Sequence, residues 1–169
     1  MGLISNPEIE EENTMPLIYT RATIEDINLL TATRTEVLRA ANQLSEKVDM
    51  SAVEEETYRY YQKALQHGSH VAYLVFDGAH FIGAGGVSFF QVMPTYHNQS
   101  GNKAYIMNMY TAPEYRRRGI AYKTLDLLVE EAKNRGIQAI SLEATAMGRP
   151  LYEKYGFVKM NDEMELYER

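Results

Sequence analysis

The chain has 169 residues, 45% hydrophobic and 24% charged, enough for one domain with a proper core. A net charge of -6 argues against a nucleic-acid partner, which would call for a basic face, and suits a cationic guest such as an amine. The absence of cysteine excludes a disulfide framework, a cysteine-based zinc site and a cysteine nucleophile, and no apolar run approaches the ~20 residues that cross a bilayer.

Glu8, Glu10, Glu11 and Glu12 crowd residues 1–14 with little to bury, which predicts a mobile acidic tail ahead of one domain over 15–169. The start lacks a basic-then-apolar leader, so a cytoplasmic location without a membrane partner is expected. Leu17, Tyr19 and Arg21 alternate with Ile18 and Thr20 as a short first strand. Thr23 is placed to cap a helix with apolar positions Ile24, Ile27, Leu30, Val37, Leu38 and Ala41, and Glu25 and Asp26 fall in its first turn. A second helix is predicted from Ser51, at capping-box spacing from Glu54, with Val53, Tyr58, Tyr61 and Leu65 on its buried side and Gly68 at its end.

Residues 70–76 and 81–90 read as two arms of a hairpin turning at Asp77-Gly78. Gly83, Gly85 and Gly86 predict a bulge or a close backbone approach in the second arm. A polar loop follows over 94–102, then a strand over 104–110 and a turn at Ala112-Pro113-Glu114. The next helix has Ala121, Leu125, Leu128, Val129 and Ala132 on its core face and stops at Gly136. A buried strand over 137–144, a short helix over 148–156, and a final strand pair at 157–160 and 163–167 complete the order.

The stretch from Tyr105 to Ala121 runs strand, short turn, then a helix that opens on Gly119 and a small residue. Helix N-termini present unpaired N–H groups and a partial positive charge, so they hold anions. Gly119 admits a close approach to the backbone, and Arg116, Arg117 and Arg118 add charge for phosphate oxygens. No Gly-Lys-Ser/Thr follows, so this is not a Walker loop, and the spaced glycines of a dinucleotide fingerprint are missing.

Arg116-Arg117-Arg118-Gly119-Ile120-Ala121 resembles the Arg/Gln-x-x-Gly-x-Gly/Ala signature of the GNAT acetyltransferases, which cradles the coenzyme A pyrophosphate. The resemblance implies that acetyl-CoA is the acyl donor and that the backbone of Met109, Tyr110 and Thr111 pairs with its pantetheine arm. Roughly 30 residues further on, Leu151-Tyr152-Glu153-Lys154-Tyr155-Gly156-Phe157 is similar to the family's Leu-Tyr-Glu-Lys-x-Gly-Phe segment. Its tyrosine, here Tyr152, is then the general acid for the departing thiolate, since a phenol with pKa near ~10 can donate to a sulfur beside it. Many relatives have asparagine where this chain has Thr145, which is left to offer the cofactor a hydroxyl.

The family implies a mixed α/β fold: a mostly antiparallel central sheet, flanked by helices, that splays between the strands near 105–110 and 138–143. The acyl arm inserts there, its carbonyl polarised by a backbone N–H near Met109, and the acceptor attacks directly in a ternary complex. The expected acceptor is a primary amine of a small molecule or peptide, and a homodimer is compatible with this reading. The family places acceptor contacts on the first helix, which nominates Arg34 and Glu36, while Glu143 at a strand end is a candidate base. His67, His70, His80 and His97 show no metal-ligand spacing, so no metal is expected, and His97 alone is worth testing as a base. The alternatives are a non-catalytic acyl-CoA-binding regulatory module and a transferase for longer acyl groups.

Overall fold

The computed structural model describes residues 15–167, so the acidic segment 1–14 lies outside the described residues. In chain order the elements are β1 (Ile18–Arg21), α1 (Ile27–Ala41), α2 (Ser51–His67), β2 (His70–Asp77), β3 (His80–Gln91), β4 (Asn102–Thr111), α3 (Ile120–Asn134), β5 (Ala139–Leu142) and α4 (Arg149–Tyr155). The sheet order is β1-β2-β3-β4-β5; the first four strands are mutually antiparallel and β5 runs parallel to β4.

Alternation along β2 sorts the core into two layers. Val71 joins Val87, Ala104, Ile106 and the α3 residues Leu125, Leu128 and Ala132 on one face. Ala72 and Leu74 join Ile27 and Leu30 of α1 and Tyr61 of α2 on the other. On α3, Leu125, Leu128, Val129 and Ala132 are buried as expected, whereas Ala121 is half-buried and Ile120 and Thr124 extend the core face in its first turns.

Local signals set most boundaries. Thr23 forms a capping box with Asp26, and a 3-10 turn over Ile24–Asp26 leads into α1. Gly68 ends α2 in the left-handed conformation. Ser51 is not a cap but the first residue of α2, and its N–H is taken by Asp49 Oδ1 at 2.9 Å. Val53 and Tyr58 are exposed, because only the end of α2 reaches the sheet through Tyr61 and Ala64. The hairpin turns at Gly78-Ala79, with Asp77 paired to His80.

The expected final strand pair does not form. Residues 157–167 make no sheet ladder, and Met164 (98% exposed) and Leu166 (97%) face solvent. A strand exists only through a partner's hydrogen bonds, and β5, half-buried and four residues long, pairs only with β4.

The glycine run in β3 does two jobs. The β3–β4 register shifts between Ala84 and Gly86, leaving Gly85 opposite both Asn108 and Met109, and Asn108 takes a φ of 56°. A Cβ at Gly85 would lie 2.7 Å from Met109 Sδ, 2.8 Å from Thr124 Cγ2 and 3.0 Å from Leu128 Cδ1. Gly85→Ala is therefore expected to cost about 1–3 kcal/mol of stability through overpacking. A chemical denaturation curve superposable on that of the parent protein would contradict this packing.

Candidate active site

β4 is paired to β5 through four rungs, from Lys103↔Ala139 to Ile106↔Leu142, and the pairing stops there. β4 runs on to Thr111 along β3 alone, so residues 107–111 present an open edge toward the diverging chain after β5. Met109, Tyr110 and Thr111 lie on this edge. Met109 packs its sulfur toward Gly85, Tyr110 stacks on Phe81 at 5.9 Å, and the buried Thr111 Oγ1 has no hydrogen-bond partner among the described residues.

Beyond β4, a 3-10 turn over Pro113–Tyr115 delivers the chain to the N-terminus of α3. Arg117 and Gly119 both have positive φ, 65° and 79°, a winding that gathers successive backbone N–H groups into a concavity suited to anions. No side chain caps α3, and its first backbone bond runs from the Lys123 N–H to the Gly119 carbonyl at 3.0 Å. The N–H groups of Ile120 and Ala121 are thus left for a ligand. A Cβ on Gly119 would meet nothing within 4 Å, so open space faces the turn.

The three arginines divide their work. Arg116 Nε donates to the Thr111 carbonyl at 3.3 Å, and Arg118 Nη2 donates to the Glu114 carbonyl at 3.1 Å while its guanidinium covers the Tyr115 ring. These two brace the turn. Arg117 is exposed, with no such bond among the described residues.

Tyr152 of α4 is 9% exposed; it belongs to the core cluster of Ile106 and Leu125 and lines a cleft of about 510 Å³ with Leu142, Ala144 and Phe157. Burial raises its pKa above the ordinary phenol value, and its hydroxyl has no hydrogen-bond partner among the described residues. Tyr155 differs: its hydroxyl donates to Asp126 Oδ1 at 2.7 Å and its ring packs on Tyr122. Of the two tyrosines in the motif, Tyr152 is the one with a hydroxyl to spare. Thr145 Oγ1 accepts the Gly148 N–H at 3.1 Å, which shapes the entry to α4.

Arg34 and Glu36 of α1 and Glu143, just past β5, act on the tyrosines of β4. Tyr110 donates to Glu36 Oε1 at 3.2 Å. Tyr105 has its phenol pKa raised by burial and then by the Glu143 carboxylate beside it, while the Arg34 charge acts the other way. His97, by contrast, is an exposed loop residue stacked edge-on against Tyr96.

Sequence reading missed a buried polar cluster beneath this wall. Asn108 Nδ2 donates to the Tyr61 hydroxyl at 3.4 Å, and its Oδ1 is buried without a partner among the described residues. His70 Nδ1 lies 3.0 Å from both Tyr60 Oη and Ser88 Oγ. Its other ring nitrogen fits only because residue 86 is glycine, where a Cβ would come within 2.6 Å. Burial, then the Arg34 charge, pushes His70 down to about 4 from 6.5. The unfolded chain therefore binds a proton that the folded chain refuses between those values. Stability held by this group is intact above pH 6.5 and falls as pH drops toward 4. Against His70→Gln, the parent protein is expected to lose about 3 kcal/mol more across that window. Parallel stability-pH curves for the two proteins would refute it.

Among the described residues there is no group of three or more His, Asp or Glu placed to hold a metal, and no helix long and apolar enough to cross a membrane.

The comparisons with known proteins agree with this geometry. Residues 37–157 match the model of the acetyltransferase (GNAT) family. The crystal structure of a predicted acetyltransferase with acetyl-CoA from Clostridium acetobutylicum is 36% identical, with a TM-score of 0.83 over 90% of this chain and 96% of that one. A GCN5-related N-acetyltransferase from Ralstonia eutropha shares the fold at 24% identity, with a TM-score of 0.79 over 90% of this chain and 99% of that one. An uncharacterized N-acetyltransferase of Bacillus subtilis, YsnE, is 39% identical over 57 residues, which span 31% of this chain and 38% of that relative's length. With a family model across most of its length and a 36%-identical relative covering nearly all of it, the chain belongs to the GNAT acetyltransferase family.

Proposed function

We propose that the protein transfers an acetyl group from acetyl-CoA to a primary amine by direct attack within a ternary complex. The observation that carries this reading is the end of β4–β5 pairing at Ile106↔Leu142, which leaves the 107–111 edge of β4 unpaired by β5 and leading into the α3 N-terminus. The pyrophosphate lies on the N–H groups of Gly119, Ile120 and Ala121, with Arg117 as a mobile countercharge and Arg116 and Arg118 holding the turn in shape. The pantetheine amides take the place of the missing strand along Met109, Tyr110 and Thr111, as a peptide would at a free sheet edge. Thr145 borders the arm from the opposite side.

The thioester then lies at the Asn108 bulge, where the interrupted ladder frees a backbone N–H to polarise its carbonyl. The neutral amine attacks the carbonyl carbon, the C–N bond forms, and the C–S bond breaks with its electron pair on sulfur. Glu143 takes the proton released by the amine. Tyr152 hydrogen-bonds the sulfur as its charge develops and delivers the proton that makes free CoA. A phenol above ~10 is a weaker acid than a thiol near ~8.5, so transfer to a relaxed thiolate is uphill. The transfer therefore accompanies C–S cleavage, while charge is still building on sulfur, and solvent reprotonates the phenol afterwards; its raised pKa keeps Tyr152 protonated at the start of each turnover at neutral pH.

Initial rates test the order of events. The protein contains no cysteine, so a thiol reagent reads released CoA without background. Intersecting double-reciprocal lines are expected when both substrates are varied, and parallel lines would overturn direct attack.

A further inference from the structure

Arg34 is a half-buried charge with no counter-ion among the described residues. Ile27, Leu30, Thr31 and Arg34 follow at three- and four-residue steps, so Arg34 continues the buried stripe of α1 toward β4. The first three are buried and Arg34 is half-buried. No carboxylate among the described residues lies in salt-bridge range of its guanidinium. Other arginines are engaged: Arg21 with Glu131, Arg39 with the Ser45 and Val48 carbonyls, Arg59 with Glu55 and Glu56, and Arg135 with the Gly68 carbonyl. Arg117 and Arg149 lack such partners but are exposed, where water serves them.

The wall that Arg34 faces is polar but uncharged at neutral pH. Its field reaches Tyr61, His70 and Tyr105, and burial holds Tyr61 up at about 12 and His70 down at about 4. Beyond Tyr105 stands the Glu143 carboxylate. Tyr105 pairs with Ser141 one rung before the strands part, so the Arg34 and Glu143 charges that act on its phenol lie near the mouth of the opening. A guanidinium with free donors in a partly dry site selects a carboxylate or phosphate, which it binds through two parallel hydrogen bonds.

We propose that Arg34 binds an anionic group on the acceptor, so that the acceptor is an amine carrying a carboxylate or phosphate whose nitrogen lies on the Glu143 side. This assignment rests on the acetyl-transfer reading above. It differs from a simple polyamine preference, which the overall negative charge of the chain alone would suggest. The anion is held by Arg34, and the ammonium is drawn to Glu143, where it is deprotonated for attack.

The test uses matched pairs that differ only in the acid: amino acids against their decarboxylated amines, and O-phosphoethanolamine against ethanolamine. CoA release is followed with saturating acetyl-CoA. In at least one pair the anionic member is expected to be favoured by about tenfold or more in kcat/KM, about 1.4 kcal/mol. The amino acid and phosphate arms tell which anion is meant. Arg34→Gln should erase that preference through the acceptor KM, leaving the acetyl-CoA KM unchanged, and Arg34→Lys should restore part of it. Equal rates within every pair, a preference that survives Arg34→Gln, or no turnover of any anionic amine would overturn the proposal. The wild-type comparison stands even if a variant fails to fold. Acetyl-CoA binding, measured in parallel by thermal shift, separates failure of this assignment from failure of the donor site.

Discussion

Tyr152→Phe is expected to lower kcat by about a hundredfold or more while leaving the acetyl-CoA dissociation constant unchanged. The substitution removes one hydroxyl that has no partner among the described residues, and the ring keeps its packing against Phe157. Stability should therefore hardly move. Tyr155→Phe is the matching control with the opposite signature. It breaks the 2.7 Å bond to Asp126, costing about 1 kcal/mol of stability, and should leave kcat intact. Equal turnover in Tyr152→Phe and the parent would remove Tyr152 from the mechanism. It would also favour a cofactor-binding module that does no chemistry.

The second large effect is expected at Gly119. Its φ of 79° is a conformation in which a β-branched residue is strongly disfavoured, and the space its Cβ would enter is the space proposed for the pyrophosphate. Gly119→Val should raise the acetyl-CoA dissociation constant by about tenfold or more, since one lost charge-assisted contact with phosphate is worth about 1.5–3 kcal/mol. Gly136, just past the other end of α3, has a φ of 71° and equally open surroundings. Gly136→Val therefore carries similar backbone strain without touching the cofactor turn. Calorimetric titration should find weakened binding in the first variant only; equal affinities in both would move the pyrophosphate elsewhere.

What the sequence made legible was what adjacent residues decide. The glycines that end helices at 68 and 136, the Thr23 cap and the glycine-led start of α3 are properties of a few neighbouring positions. The acetyltransferase motif was readable for the same reason: a turn and a helix start hold an anion largely by themselves. Residues brought together by strand pairing were not readable. Asn108 adopts a positive φ because Gly85 lies across the ladder from it, and its side chain meets Tyr61, 47 residues away. His70 looked like one of four scattered histidines because Ser88 is 18 residues distant and joins it only across the β2–β3 hairpin. The alternation of Met164 and Leu166 with Glu163 and Glu165 imitated a strand, yet a local pattern supplies no partner edge. Arg34 and Glu143 were nominated separately, and the fold brings both charges to bear on the Tyr105 phenol.

The central claim is that the open β4 edge and the α3 N-terminus hold acetyl-CoA. Thermal unfolding of the purified protein with and without acetyl-CoA tests it most directly. At a hundredfold excess over the dissociation constant the ligand should add about 2.7 kcal/mol of stability, raising Tm by several degrees. At the same ligand concentration that gain should fall to about 1.4 kcal/mol or less in Gly119→Val and persist in full in Tyr152→Phe. A folded parent protein whose Tm is the same with and without saturating acetyl-CoA would contradict the account.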